Sequence, residues 1–363
     1  MPARGGRVIL AKANKGPGLV PAGESLREGV AMKREMRWGF WLLAGMAAVL
    51  VAAGARAAPA GKPFGITVLE STPGFFDLPL RNAIADFAGQ YHLKIGLVTV
   101  TGGGGLATEF EGGTGDIAMV GADTPLRLAQ ADAVPGGVTI IGTNMTNMLY
   151  GLIAKKGSPY HTLTDLKGKN VAITGAGAAS EVVLKWALIT KAHMSPSEVR
   201  IVPLGPPETI LQAVLKGSVA AGTVFSPALD EGLSSGRVQM VFDFRQYPYA
   251  QNVFMVRSRK LKADPEPFRL FMEAYNAAVK KMYADPAYTL RTAMKYWGQG
   301  TSESVVKSEL AFYMKYEWKE TAFPPSLYAA CKDVLLHSGD FPTSNFPSYE
   351  AVTRYWPAPK SGG

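Results

Sequence analysis

The sequence predicts two α/β lobes followed by a cluster of helices. Three observations carry this. Short β-branched strands alternate with amphipathic helices from Gly65 onward. The rhythm pauses over the polar, turn-rich stretch Lys155–Lys169 and restarts at Asn170. From Pro265 the strand signal disappears and only helical spacing remains. Strands alternating with helices at this spacing mean parallel βαβ units.

The elements follow in order. Gly65–Glu70 (GITVLE) reads as a strand, and Leu78–Tyr91 as a helix with Leu78, Ile84, Phe87 and Tyr91 on one face. Lys94–Val100 is a second strand. The glycine run Thr101–Gly105 breaks the chain, and a short helix to about Glu111 follows. Asp116–Val120 is a strand, Thr124–Gln130 a helix with Thr124 near its N-cap, and Val138–Gly142 and Leu149–Ala154 are further strands. After the pause come strand Asn170–Thr174, helix Glu181–Lys191, a turn at Ser195–Glu198 and strand Val199–Pro203. Helix Pro207–Leu215 carries proline in its first turn, where a missing N–H costs little. Ala220–Val224, Val238–Phe242 and Val253–Val256 are strands, the last leading back to the first lobe. The tail reads as helices Glu266–Tyr283, Pro286–Trp297, Ser302–Met314 and Pro325–Ser338. Residues 58–154 with 252–363 are therefore expected to form lobe 1 and its helices, and 155–251 to form lobe 2.

Charge and composition remove several function classes. The chain has 363 residues and a formal charge of +9, but residues 1–57 hold nine of its 38 Lys/Arg and three of its 29 Asp/Glu. The remainder carries 29 basic against 26 acidic residues and no basic run, so nothing in it reads as a nucleic-acid surface. A single cysteine, Cys331, excludes an intramolecular disulfide and any multi-cysteine metal site, and the four histidines are scattered. Cys331 lies in a helical pattern and is expected to be a buried apolar residue.

The N-terminus reads as an export signal. Met32–Arg37 is a basic segment, Trp38–Ala55 is uncharged and apolar, and Ala55-Arg56-Ala57 places small residues where a signal peptidase cuts. Cleavage is expected after Ala57, with Met32 as the true start. No cysteine follows the apolar run, which excludes a lipoprotein anchor, and an uncleaved membrane anchor is the competing reading. No later segment is apolar for 18 residues, so a soluble, exported chain is expected.

Chemistry concentrates in loops. Ser71-Thr72-Pro73-Gly74, Thr101–Gly105, Gly121-Ala122-Asp123-Thr124-Pro125 and Gly175–Ser180 all follow the carboxyl ends of strands, where open α/β sheets bind ligands. Gly175-Ala-Gly-Ala-Ala-Ser180 imitates a dinucleotide fingerprint, but Ser180 replaces the third glycine and the next strand lacks the ribose-binding acid. What survives is a loop whose backbone a ligand can approach and a helix start that favours anions. Phe75, Phe76, Phe225, Tyr247 and Tyr249 lie near these loops, while basic residues are almost absent from them. No G-x-S-x-G, H-E-x-x-H, P-loop or paired S-x-x-K motif is present, so no catalysis is expected.

The order of short motifs resembles the exported solute-binding proteins of ABC importers, in the nitrate/sulfonate/taurine family with its thiamine-precursor-synthase-like domain. The motifs are Leu78-Pro79-Leu80, Thr101-Gly102-Gly103, Asp116-Ile117-Ala118 and Gly121–Asp123 in the first lobe. In the second they are Asp165–Thr174 (DLKGKNVAIT), Ser195–Val199 and Ala213–Ala220 (AVLKGSVA). The resemblance implies a two-lobed periplasmic binding fold of type II, a small-molecule ligand, no cofactor, a monomer, and an inner-membrane permease as partner. It implies a pocket drawn from Ser71, Thr72, Phe75, Gly103, Asp123, Asn144, Gly177, Ser180, Phe225 and Tyr249. The implied solute is a small polar or anionic organic molecule, sulfonate-like or related; a ligand-sensing module is the alternative. Phe225-Ser226-Pro227 departs from the Trp-acid-Pro common in the family. The fungal pyrimidine-precursor synthase of this fold needs a cysteine-rich motif that this chain lacks.

Overall fold

The computed structural model describes residues 61–71, 73–100, 102–339 and 341–356; the side chains of positions 102 and 103 are outside the description. The expected signal peptide and its cleavage near Ala57 lie outside the described residues, as does Thr72. Among the described residues no helix is long and apolar enough to cross a membrane.

Among the described residues, ten strands form two five-stranded sheets. In the first, β1 (Phe64–Glu70) pairs in parallel with β2 (Leu93–Thr99) and β3 (Ile117–Val120), and β10 (Pro248–Arg257) runs antiparallel between β3 and β4 (Val138–Asn147). In the second, β6 (Asn170–Ile173) pairs in parallel with β7 (Arg200–Pro203) and β8 (Ala221–Val224), and β5 (Gly151–Lys155) runs antiparallel between β8 and β9 (Val238–Asp243). The two orders, β2-β1-β3-β10-β4 and β7-β6-β8-β5-β9, repeat one pattern. Central strands are buried on both faces, as β3 (IAMV) and β8 (AGTV) show, which is why they read as unbroken apolar runs.

The expected lobe boundaries are corrected at two points: β10 joins the first sheet from Pro248 rather than 252, and the first boundary falls earlier. Leu149–Ala154 was assigned to the first lobe, but its strand, β5, belongs to the second sheet. The chain changes sheet at Met148–Tyr150, because β4 runs on to Asn147 and a single apolar stretch serves both strands. It returns through the turn Phe244–Gln246 and Tyr247. These two crossovers are tied together: Met148 N–H donates to Tyr247 O (3.1 Å), Phe244 N–H to Tyr150 O (3.2 Å) and Asn147 Nδ2 to Arg245 O (2.8 Å).

Helix Leu78–Tyr91 is also corrected. Only Leu78–Asn82 is α-helical; Ala83–Phe87 widens to a π turn and Ala88–Tyr91 tightens to a 3₁₀ turn, ending on His92 at φ 57°. Leu78, Pro79, Leu80, Asn82, Ala83 and Ala88 are the buried set, while Ile84, Phe87 and Tyr91 pack half-buried against the core. The glycine run does not break the chain: it is the first turn of helix Gly102–Glu111. Glycine is costly within a helix, but the first turn makes few internal bonds to lose.

The tail helices Glu266–Ala284, Pro286–Trp297, Glu303–Tyr316 and Pro325–His337 match the expected four. They brace both lobes. On Pro325–His337, the Cys331 thiol accepts from Ala250 N–H of β10 (3.2 Å), and Asp333 accepts from Trp186 Nε1 of helix Ala179–Ala192 in lobe 2 (3.0 Å). Short helices at Ala228–Ser234, Ser258–Ala263 and Tyr349–Thr353 were not anticipated.

Candidate functional site

Parallel strands of a sheet release their following loops at one end, so the four glycine and hydroxyl loops gather at the carboxyl ends of the two sheets. In lobe 1, the turn after β3 leads directly into helix Asp123–Gln130, whose first residue is Asp123. Gly121 leaves room for the Asp123 carboxylate, which a Cβ at that position would push aside. The Asp123 side chain remains 31% exposed although protein closes around it, and it sits 3.8 Å from Arg127 Nε one helical turn on. Desolvation pushes its pKa up, with Arg127 opposing.

The Asp123 charge reaches three neighbours from different parts of the fold. Tyr150 lies on the first crossover, Tyr249 on β10 and Cys331 on the tail helix, and each is raised chiefly by burial and secondarily by Asp123. The Cys331 thiol is pushed up to about 12 and is fully buried, which agrees with its reading as an apolar packing residue. The two phenols therefore stay protonated at neutral pH and can act as hydrogen-bond donors. Tyr150 continues the cluster into lobe 2 through an edge-on contact with Phe225 at 5.6 Å. Below it, Tyr247 stacks on Phe242 (5.5 Å) and meets Trp186 edge-on (5.1 Å). Asn144 on β4 donates to Phe76 O (3.3 Å) and to Met119 Sδ (3.4 Å), and its Oδ1 is buried without a partner.

The ten residues implied by the resemblance divide by place. Asp123, Tyr249 and Phe225 come together through Tyr150. Asn144 is bonded to Met119 of β3 and to Phe76 O, and no contact among the described residues joins it to that group. Ser71 is half-buried at the end of β1, and Gly103 is the second residue of helix Gly102–Glu111. Phe75 is engaged in packing, stacked on Trp297 at 5.2 Å.

The loop after β6 satisfies much of itself. Gly177 takes φ +72°, a conformation that favours glycine, and its N–H donates to Glu181 Oε2 at 2.6 Å. Ser180 is buried, bonded to Thr174 Oγ1 (2.7 Å) and N–H (3.1 Å). Glu181 in turn pairs with Lys185 (2.8 Å), so the helix start expected to favour anions already has a carboxylate of its own. Tyr150, Trp186 and the unpartnered Asn144 Oδ1 were not singled out as site features by sequence reasoning. Tyr150 sits inside what reads as strand, and no local pattern marks a change of sheet. No group of three or more His, Cys, Asp or Glu among the described residues could hold a metal.

Comparison with known proteins agrees with this architecture. The family model described as NMT1/THI5 like matches residues 93–289. Comparison with curated proteins gives no match. The alkanesulfonate-binding protein SsuA of Xanthomonas axonopodis pv. citri, solved with MOPS bound, superposes at TM-score 0.63 with 19% identity, covering 81% of this chain and 99% of that one. The periplasmic aliphatic sulphonate binding protein SsuA of Escherichia coli gives 0.64 at 16% identity, covering 78% and 95%. The Candida albicans CA3427 product, which has the generic periplasmic binding protein fold, gives 0.61 at 16%, covering 77% and 92%. The chain belongs to the NMT1/THI5-like family and has the two-sheet α/β fold of periplasmic binding proteins.

Proposed function

We propose that the protein is the exported solute-binding component of an ABC importer, capturing a small polar or anionic organic molecule between its lobes and presenting it to a membrane permease. The observation that carries this reading is the Asp123–Tyr249–Tyr150–Phe225 cluster. It draws on lobe 1, a crossover and lobe 2, so a ligand lodged there touches groups whose spacing depends on how the lobes lie. A ligand that binds the closed state better shifts the population toward it. The two tied crossovers are the positions where such hinging concentrates. The sulfonate-binding relatives support the ligand class. The phenol donors and the partnerless amide oxygen of Asn144 suit a solute carrying both acceptor and donor groups. We propose Ser71, Thr72, Gly103, Gly177 and Ser180 as the loop contribution on the two sides, export with cleavage near Ala57, and action as a monomer without a cofactor.

The test is a thermal-shift screen of the protein against sulfonates, aromatic acids, amines, nitrate and pyrimidines. A ligand at 100 times its Kd adds about 2.7 kcal/mol to stability, which for ~300 ordered residues is a shift of about 4 °C. A shift of that size confined to one chemical class supports the reading. A folded protein that responds to none of these classes counts against it.

A further inference from the structure

Positive charge is scattered in the sequence but gathered by the fold. The amino-terminal ends of β6, β7, β8 and β9, with the carboxyl end of antiparallel β5, form the edge of the second sheet opposite the ligand-facing loops. Along it stand Arg200, Lys169, Lys155, Lys156, Lys216 and Arg237, with neighbouring segments stitched by Arg200 N–H to Lys169 O (2.8 Å) and Lys156 N–H to Arg237 O (2.9 Å). None of the six has an ion pair among the described residues. A seventh cation, Lys167, is paired with Glu198 (3.4 Å), and Asp165 is engaged by the N–H groups of His161 and Thr162. Seven cations against two carboxylates leave the edge at a formal +5, more than the +3 carried by the whole of residues 58–363.

The edge is not flat. A cavity of about 300 Å³ opens in it, lined by Lys155, Lys169 and Arg200 with Ser158, Asn170 and Ser218. One wall is the turn at 157–160, held in place by Gln239, which accepts from Gly157 N–H (3.2 Å) and donates to Ser158 O (3.2 Å) and Tyr160 O (2.8 Å). The Ser158 hydroxyl on that wall is buried and has no hydrogen-bond partner. A hydroxyl left unpaired in this way costs free energy unless something meets it.

We propose that this cavity is an anion site that takes a phosphate monoester or inorganic phosphate. Three unpaired cations around one small cavity exceed what a singly charged sulfonate or carboxylate would balance. A phosphate monoester carries ≈ −1.5 to −2 at neutral pH and presents three acceptor oxygens. The Arg200 guanidinium can take two of those oxygens side by side, the two ammonium groups neutralise the remaining charge, and Ser158 supplies the additional donor. The site is independent of the solute cleft and lies at the far end of lobe 2, so it can be filled whether or not the cleft is.

The test measures binding of inorganic phosphate by calorimetry at low ionic strength, and co-flotation with vesicles containing phosphatidic acid in a neutral lipid background. Both are repeated with K155Q/K169Q/R200Q and with S158A. All four side chains lie at the surface or at a cavity wall, and an unchanged thermal unfolding midpoint certifies the fold. Saturable phosphate binding that weakens more than tenfold in the triple variant supports a site for the free ion. Vesicle binding alone, lost in the triple variant, supports a lipid headgroup as the source. Binding in neither arm, or binding that survives the triple substitution, overturns the proposal.

Discussion

Glu309 offers a prediction with a calculable size. It lies on helix Glu303–Tyr316, is fully buried, and faces Asp230 and Ser226 of lobe 2, with Arg245 as the nearest opposing charge. The Ser226 hydroxyl donates to Asp230, and both Glu309 carboxyl oxygens are buried without a hydrogen-bond partner, so the ionised form is disfavoured. Burial is the main cause, the proximity of Asp230 the second, and together they raise its pKa from 4.5 to about 9. The folded state then keeps a proton that the unfolded chain releases near pH 4.5, so between those values stability falls as pH rises. At 1.36 kcal/mol per unit, the gap between 4.5 and neutrality is worth about 3 kcal/mol at pH 7, and less than about 1 kcal/mol at pH 5. Glu309→Gln keeps the shape while removing the ionisation. Its unfolding midpoint relative to the parent is expected to rise by about 4 °C on going from pH 5 to pH 7. Scanning calorimetry across pH 5–8 measures this. A difference between the two proteins that stays constant with pH would refute the reasoning.

Three further outcomes are expected. Asp77 and Glu317, both raised to about 8 by burial, act in the same direction as Glu309, so the parent protein should lose stability steadily from pH 5 to pH 8; a midpoint that climbs over that range would contradict it. Gly222→Ala places a methyl against Ile210 Cγ2 and 3.2 Å from Val214 Cγ2, so urea denaturation should show a loss of about 1–3 kcal/mol. Trp186→Phe removes the indole hydrogen bond to Asp333 that ties lobe 2 to the tail, at a cost of about 2 kcal/mol by the same assay.

How much of this was legible depended on whether the signal was local. Strands such as β1, β6 and β8 announce themselves through apolar, β-branched runs, and the tail helices through proline starts and 3.6-residue spacing. The same periodicity could not report that Leu78–Tyr91 changes winding midway, because π and 3₁₀ turns are set by what the helix packs against. The change of sheet at Met148–Tyr150 was hidden because one apolar stretch feeds two different cores. Asp123, Tyr249 and Phe225 were expected in one pocket from the family resemblance, whereas Tyr150, which lies between them, sits inside an apparent strand. Phe75 reads as a loop aromatic, and its stacking on Trp297, more than 200 positions later in the chain, has no local signal. The basic edge of lobe 2 could not be read at all. Its cations are spread from Lys155 to Arg237, and the pairing of β6 with β7 and of β5 with β8 and β9 brings them together.

The central claim is that one ligand engages both lobes at once. The most direct measurement is a calorimetric titration of the best-binding solute class into the parent protein, Asp123→Asn and Phe225→Ala. One substitution lies in lobe 1 and the other in lobe 2, and Tyr150 links the two sites. The account predicts that each alone weakens binding by at least tenfold without altering the unfolding midpoint of the free protein by more than a few degrees. Full affinity in either variant would contradict a site shared between the lobes.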